Sequence, residues 1–105
     1  MAIKFYPVCE VDELPQGERI FIEVGDMPVA LFNIGGEFFA IADVCTHDDG
    51  PLGDGEIENH QIICPRHGAR FDIRTGEVLT LPAVKGVSSY PIKVEENMLY
   101  IGVEE

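Results

Sequence analysis

Two short clusters constrain this chain more than anything else in it: Cys45-Thr46-His47 and Cys64-Pro65-Arg66-His67. Sixteen residues separate His47 from Cys64, and the clusters hold two of the three cysteines and two of the three histidines. Thiolate and imidazole are the side chains that soft and borderline metals prefer. Two Cys/His pairs at such short spacing read as a metal site, so the fold must bring two loops to one place.

Two metal centres take two sulfurs and two nitrogens. A structural zinc is tetrahedral and accepts two Cys and two His. A 2Fe–2S cluster of the Rieske kind places two thiolates on one iron and two imidazoles on the other. Zinc fingers usually pair Cys with Cys and His with His. Here each loop carries one of each, as C-x-H and C-x-x-H, which suits two loops clasping an elongated two-iron cluster. The glycines nearby, Gly50, Gly53, Gly55 and Gly68, are expected to let backbone amides approach and donate to the cluster sulfurs.

The rest of the chain reads as β-structure. Residues 3–9 make a first strand, with Pro7 placing it at a sheet edge or near a bulge. Residues 10–18 are a turn-rich connection. Residues 19–24 and 28–34 are rich in β-branched and aromatic types and flank a turn at Gly25-Asp26. Gly35-Gly36 is a hairpin signal leading into a strand at 37–42. After the first cluster, 48–56 is a Gly-, Asp- and Pro-dense loop. Residues 56–58 and 61–64 form a hairpin about Asn59 and His60, which returns the second cluster beside the first. A further hairpin pairs 70–73 with 77–80 about Thr75-Gly76, residues 80–86 are a loop, and strands at 89–95 and 98–103 turn at Glu96-Asn97. No window carries a helical period. About ten short strands argue an all-β sandwich or small barrel-like fold in one domain, 1–105, with the segment at about 43–83 as an inserted subdomain.

Nineteen Asp and Glu against seven Lys and Arg give a formal net charge of −12. That repels nucleic acid and anionic membranes, and can steer a small protein toward a basic patch on a partner. The N-terminus shows no secretory signature, and no stretch is long enough to cross a bilayer, so a cytoplasmic location is expected. Cys9 fits no metal spacing and reads as a structural strand residue. Phe21, Phe32, Phe38 and Phe39 read as core packing and His60 as an exposed turn residue. Asp48, Asp49 and Asp54 read as loop chemistry, since they fit no EF-hand pattern.

The run C-T-H, sixteen residues, C-P-R-H-G-A-R-F-D at 64–72 and T-G-E-V at 75–78 resembles the Rieske-type ferredoxins. The likeness is close over the cluster segment and loose over the flanking strands. It implies a fold of stacked antiparallel sheets and one Rieske 2Fe–2S cluster. It also implies that Cys45 and Cys64 bind the inner iron, while His47 and His67 bind the outer iron near solvent. Pro82 resembles the proline of the family's shielding third loop. The high-potential branch carries an extra cysteine in each loop, forming a disulfide, with a Ser and a Tyr that bond to cluster sulfur. Here those places read about Gly50, Arg66, Ala69 and Phe71. Hydrogen bonds to sulfur stabilise the reduced state, so the resemblance implies a potential near the low end of the roughly −150 to +300 mV Rieske range. Arg66 and Arg70 flank the outer ligand and could offset cluster charge, meet a partner or simply be solvated.

A Rieske cluster has no open coordination site. A catalytic iron held by two His and a carboxylate cannot be built when only His60 remains, and no Gly-rich dinucleotide loop is present. The expectation is therefore a monomeric one-electron carrier rather than an enzyme, taking electrons from a flavin-dependent reductase and passing them to a terminal oxygenase. A small subunit or partner of another reductase, such as a nitrite reductase, is the alternative within electron transfer. A zinc-stabilised interaction domain is the alternative outside it.

Overall fold

The computed structural model describes residues 2–45, 50–66, 68–81, 83 and 85–104. The first strand, β1 (Ile3–Glu10), is an edge strand, and its register shifts between Pro7 and Cys9. Proline has no N–H to give the ladder, and a bulge at an edge is where a sheet tolerates it. A single 3₁₀ turn, Val11–Glu13, follows; the Glu13 carboxylate accepts the Glu10 N–H at 2.9 Å.

The middle of the molecule is a meander of β2 (Arg19–Val24), β3 (Met27–Ile34) and β4 (Glu37–Ala42). Both turns use left-handed glycines, Gly25 at φ 62° in the first and Gly35 and Gly36 at 63° and 89° in the second. Strand β3 is buried from Val29 to Asn33 because it meets a core on each face. Ala30 and Phe32 join Ile41 in one apolar cluster, while Val29 and Leu31 join Ala40 in another. This alternation is the period-2 geometry of a strand covered on both sides.

Beyond the first cluster come three short antiparallel strands, β5 (Glu56–Glu58), β6 (Gln61–Ile63) and β7 (Arg70–Asp72). Asn59 takes the left-handed conformation of the β5–β6 turn, at φ 59°. The strand expected at 77–80 shrinks to one bridge, Val78 opposite Phe71. The ladder ends there because the next N–H, that of Arg70, goes to the Thr80 hydroxyl (2.9 Å) and not to a main-chain carbonyl.

The strand expected over 89–95 is two strands. The first, β8 (Ser89–Tyr90), pairs with β4, and the second, β9 (Ile92–Glu95), pairs with β10 (Met98–Glu104). Pro91 divides them, and the chain changes sheets at that residue. The Gly102 N–H reaches over to the Pro91 carbonyl at 2.8 Å, and a Cβ at Gly102 would stand 2.7 Å from the proline ring. Glu96 and Asn97 both have positive φ, 49° and 67°, as a two-residue primed hairpin turn requires.

The strand orders are β1-β10-β9, β2-β3-β4-β8 and β5-β6-β7, all antiparallel. One core, with Leu99 and Ile101 of β10, joins the first sheet to the meander. The other, with Ile62, Phe71 and Ile73, joins the meander to the small sheet. The meander is thus the middle of three stacked layers, which is the all-β architecture expected. Among the described residues, no helix is long and apolar enough to cross a membrane.

Candidate metal centre

Cys45 lies three residues past the end of β4, and Cys64 directly follows β6. The two loops close in the same way. The Cys45 N–H donates to the Gly50 carbonyl and the Cys64 N–H to the Ala69 carbonyl, each at 2.7 Å. In both, the acceptor stands five residues beyond the cysteine. Gly68, left-handed at φ 78°, gives its N–H back to the Cys64 carbonyl at 3.0 Å. Both thiols are buried (0% and 2% exposed) in one apolar core, with Leu52, Ala69, Phe71 and Ala83 around them. No disulfide joins any of the three cysteines. His47 and His67, together with Thr46, Asp48, Asp49 and Pro82, lie outside the described residues.

Two thiols brought into one apolar core without a disulfide fit the sulfur half of a two-iron cluster. Cys9 fits nothing of the kind. It is half-buried in the other core, beside Leu99 in register. Burial, and then the Glu13 carboxylate, push its thiol pKa up. It therefore stays protonated and inert, the structural strand residue expected.

Three of the four glycines use their amides within the protein. The Gly53 N–H donates to the Asp43 carboxylate, the Gly55 N–H to the Leu52 carbonyl and the Gly68 N–H to the Cys64 carbonyl. These amides serve the protein's own acceptors. Gly53 and Gly55 are needed for space: a Cβ at Gly53 would sit 2.6 Å from the Phe21 ring, and one at Gly55 would strike the Ile63 carbonyl.

Two side chains that hold the backbone of this segment carry almost no mark in the sequence. Asp43 accepts the N–H groups of Leu52 (2.9 Å) and Gly53 through one oxygen. Arg19 donates from Nη1 to the carbonyls of Gly53 and Gly55, 2.7 Å each, and stands over the Phe32 ring. Asp43's place between a strand and a glycine-rich loop was the one available hint.

The family model of the Rieske [2Fe-2S] domain matches residues 4–91. The chain belongs to the Rieske [2Fe-2S] family. It is 40% identical over 98 residues, 92% of each chain, to the 3-phenylpropionate/cinnamic acid dioxygenase ferredoxin subunit of Shigella flexneri serotype 5b (strain 8401). Among solved structures, the Sphingomonas yanoikuyae B1 ferredoxin superposes with a TM-score of 0.85 at 30% identity, covering 96% of this chain and 100% of that one. A complex of reduced oxygenase and oxidized ferredoxin in carbazole 1,9a-dioxygenase matches with a TM-score of 0.84 at 28% identity, covering 92% of this chain and 91% of that one. The cofactor of this Rieske protein is one 2Fe–2S cluster, and the ferredoxins named above are electron carriers rather than catalysts. The zinc alternative falls with that match.

Several residues around the Rieske loops now have places. Ala69 and Phe71 are fully buried in the cysteine core, without a hydroxyl between them. Arg70 is drawn back over the small sheet, donating to Gln61 Oε1 at 3.2 Å and lying 3.5 Å from Glu58. Arg66 is exposed. His60, expected to be an exposed turn residue, is half-buried, because its ring stands edge-on to Phe39 with centroids 5.7 Å apart. Of the phenylalanines, Phe32 is fully buried. Phe21, expected in the core, is 50% exposed, because β2 is an edge strand and its ring covers Gly53.

Proposed function

We propose that this Rieske ferredoxin carries single electrons from a flavin-dependent reductase to the terminal oxygenase of an aromatic-ring dioxygenase system. In this reading Cys45 and Cys64 hold the inner iron, and His47 and His67 the outer iron. The observation that carries the ligand assignment is the pair of buried cysteines in one core, each in a loop closed five residues on. The relatives named above, a dioxygenase ferredoxin subunit and a ferredoxin in complex with its oxygenase, support the partners.

When bound, the cluster supplies reversible one-electron chemistry. The chain's own part is to hold and to insulate. Leu52, Ile62, Phe71 and Ile73, all fully buried, keep water from the thiolate side. Ala69 and Phe71 have no hydroxyl to offer a sulfur, which supports a potential near the low end of the Rieske range. The chain works as one domain, 1–105, a monomer of the cytoplasm, with its metal-bearing part over about 43–83. The two shared cores that tie all three sheets together support the single domain.

The test is reconstitution with iron and sulfide under argon, then titration with a flavin-dependent reductase and NADH. Two irons and two labile sulfides per chain are expected. So is reductase-dependent bleaching of the visible spectrum, reversed by an oxidised dioxygenase terminal oxygenase. A loaded protein that neither component reduces or reoxidises would sink the carrier role.

A further inference from the structure

Two side chains of opposite charge, far apart in the sequence, converge on the residue Gly53. Asp43, just past β4, takes its N–H, and Arg19, at the start of β2, takes its carbonyl. Each holds one neighbour as well, Asp43 the Leu52 N–H and Arg19 the Gly55 carbonyl. Asp43 is itself anchored, its own N–H donating to the Pro28 carbonyl at 2.8 Å. The Arg19 guanidinium lies 5.7 Å from the centroid of Phe32, a member of the cysteine core. The gripped segment matters because of what it carries. Leu52 is fully buried in the core with both thiols, and Gly50, two residues earlier, accepts the Cys45 N–H.

We propose that Arg19 and Asp43 are positioning residues for the cluster. They fix the 50–55 segment between them, and so fix Leu52 and the Cys45 loop against the metal centre. Charge-assisted hydrogen bonds are stronger and better defined than neutral ones. A segment with no ladder of its own needs such bonds to stay closed. A loosened segment would admit water to the cysteine side, and water stabilises the more negative, reduced cluster.

The inference rests on Cys45 being a ligand. The experiment uses the cluster-loaded protein with Arg19→Met, Arg19→Lys, Asp43→Ala and Asp43→Asn. Amide hydrogen exchange is followed by mass spectrometry, and the reduced cluster by its paramagnetic resonance spectrum and midpoint potential. Arg19→Met and Asp43→Ala should speed exchange over 50–55 by roughly tenfold or more, about what losing one or two net hydrogen bonds implies. Exchange in β1 and β10 should stay as in the parent. The same two variants should shift the resonance g-values and the midpoint. Arg19→Lys, which keeps a cationic donor, and Asp43→Asn, which keeps the oxygen acceptor, should restore most of the parent signature. Unchanged exchange over 50–55 overturns the proposal, as does equal acceleration in β1 and β10. A parent-like spectrum and midpoint in Arg19→Met also overturn it. If Arg19→Met does not fold, the two Asp43 variants carry the same comparison. Failure of the ligand reading is seen separately, as full iron content in Cys45→Ser, whatever the Arg19 and Asp43 variants do.

Discussion

The two cores of this molecule contain the same kind of residue in opposite circumstances. Cys9 sits in a strand, half-buried and held by main-chain pairing, with its thiol pKa pushed up by burial and by Glu13. Cys45 and Cys64 are buried and sit in loops that are closed by one or two main-chain bonds. The first core is made mostly by the longer strands of two sheets. The second adds loop residues, among them Cys45, Leu52, Cys64, Ala69 and Ala83, to Ala30, Phe32 and Ile41 of the meander and Ile62 and Phe71 of the small sheet. Its small sheet has strands of only three residues each, too short for much independent stability. What sets Cys45 and Cys64 apart from Cys9 is the loop around each and not burial alone.

Exchanging the cysteines one at a time breaks that comparison most directly. Cys45→Ser and Cys64→Ser should each abolish the visible spectrum and lower bound iron to near zero, since a serine oxygen is a poor ligand where soft thiolate is preferred. Cys9→Ala should leave iron content and spectrum unchanged and cost no more than about 1–2 kcal/mol in a denaturant titration, as a half-buried side chain would. A Cys9→Ala protein without iron would show that the two cores are not separable.

The glycines give a second contrast. Gly102 and Gly55 both lack room for a Cβ, one against Pro91, Ile3 and Phe5, the other against the Ile63 main chain. Side chains can shift and a backbone carbonyl in a ladder cannot. Gly102→Ala should cost about 1–3 kcal/mol by overpacking and leave the spectrum intact. Gly55→Ala should displace the start of the small sheet and reduce iron retention after desalting. Equal iron retention in the two variants would remove the distinction.

The layered fold was largely legible because strand signals are local. The alternation in 19–24, the Gly35-Gly36 turn and the Glu96-Asn97 turn each declare themselves within a few residues. Pro91 was in plain view, yet the apolar alternation runs straight across it, so the sheet change at that point was missed. The four proposed ligand positions stood out because Cys and His are scarce in the chain. Arg19 and Asp43 were not legible. Arg19 reaches carbonyls 34 and 36 residues away, and Asp43 reaches amides 9 and 10 residues away. Backbone groups leave no mark in a sequence, so a side chain that serves them looks like any surface charge. Gly53 and Gly55 misled for the same reason, since the contact that excludes a side chain is tertiary.

Ala69 offers a finer test within the cysteine core. Ala69→Ser adds a hydroxyl at a fully buried position whose own carbonyl closes the Cys64 loop. If that hydroxyl reaches cluster sulfur, the midpoint should rise. One net hydrogen bond of about 1 kcal/mol corresponds to about 40 mV for a single electron. Protein-film voltammetry reads this directly. An unmoved midpoint would mean the hydroxyl turns to another acceptor.

The smallest effects expected are electrostatic, and the larger of them concerns the turn that ends β7. Asp72 accepts the Arg74 N–H at 2.8 Å and its guanidinium at 3.1 and 3.0 Å. The side-chain hydrogen bonds from Arg74 hold the Asp72 carboxyl below its usual range, against a smaller opposing push from its partial burial. A carboxylate with a depressed folded-state pKa contributes stability that is fully present above its unfolded value of about 3.9. That contribution is lost as pH falls through the lower folded-state value. Between pH 5 and pH 2, the parent should therefore lose more thermal stability than Asp72→Asn, and the gap should narrow in high salt because Arg74 is exposed. The Lys93–Glu95 pair on the outer sheet, 2.8 Å apart and open to water, should contribute less still. A Glu95→Gln protein with the larger pH effect would reverse the ranking and place the acid-sensitive contact in the scaffold, not beside the metal loops.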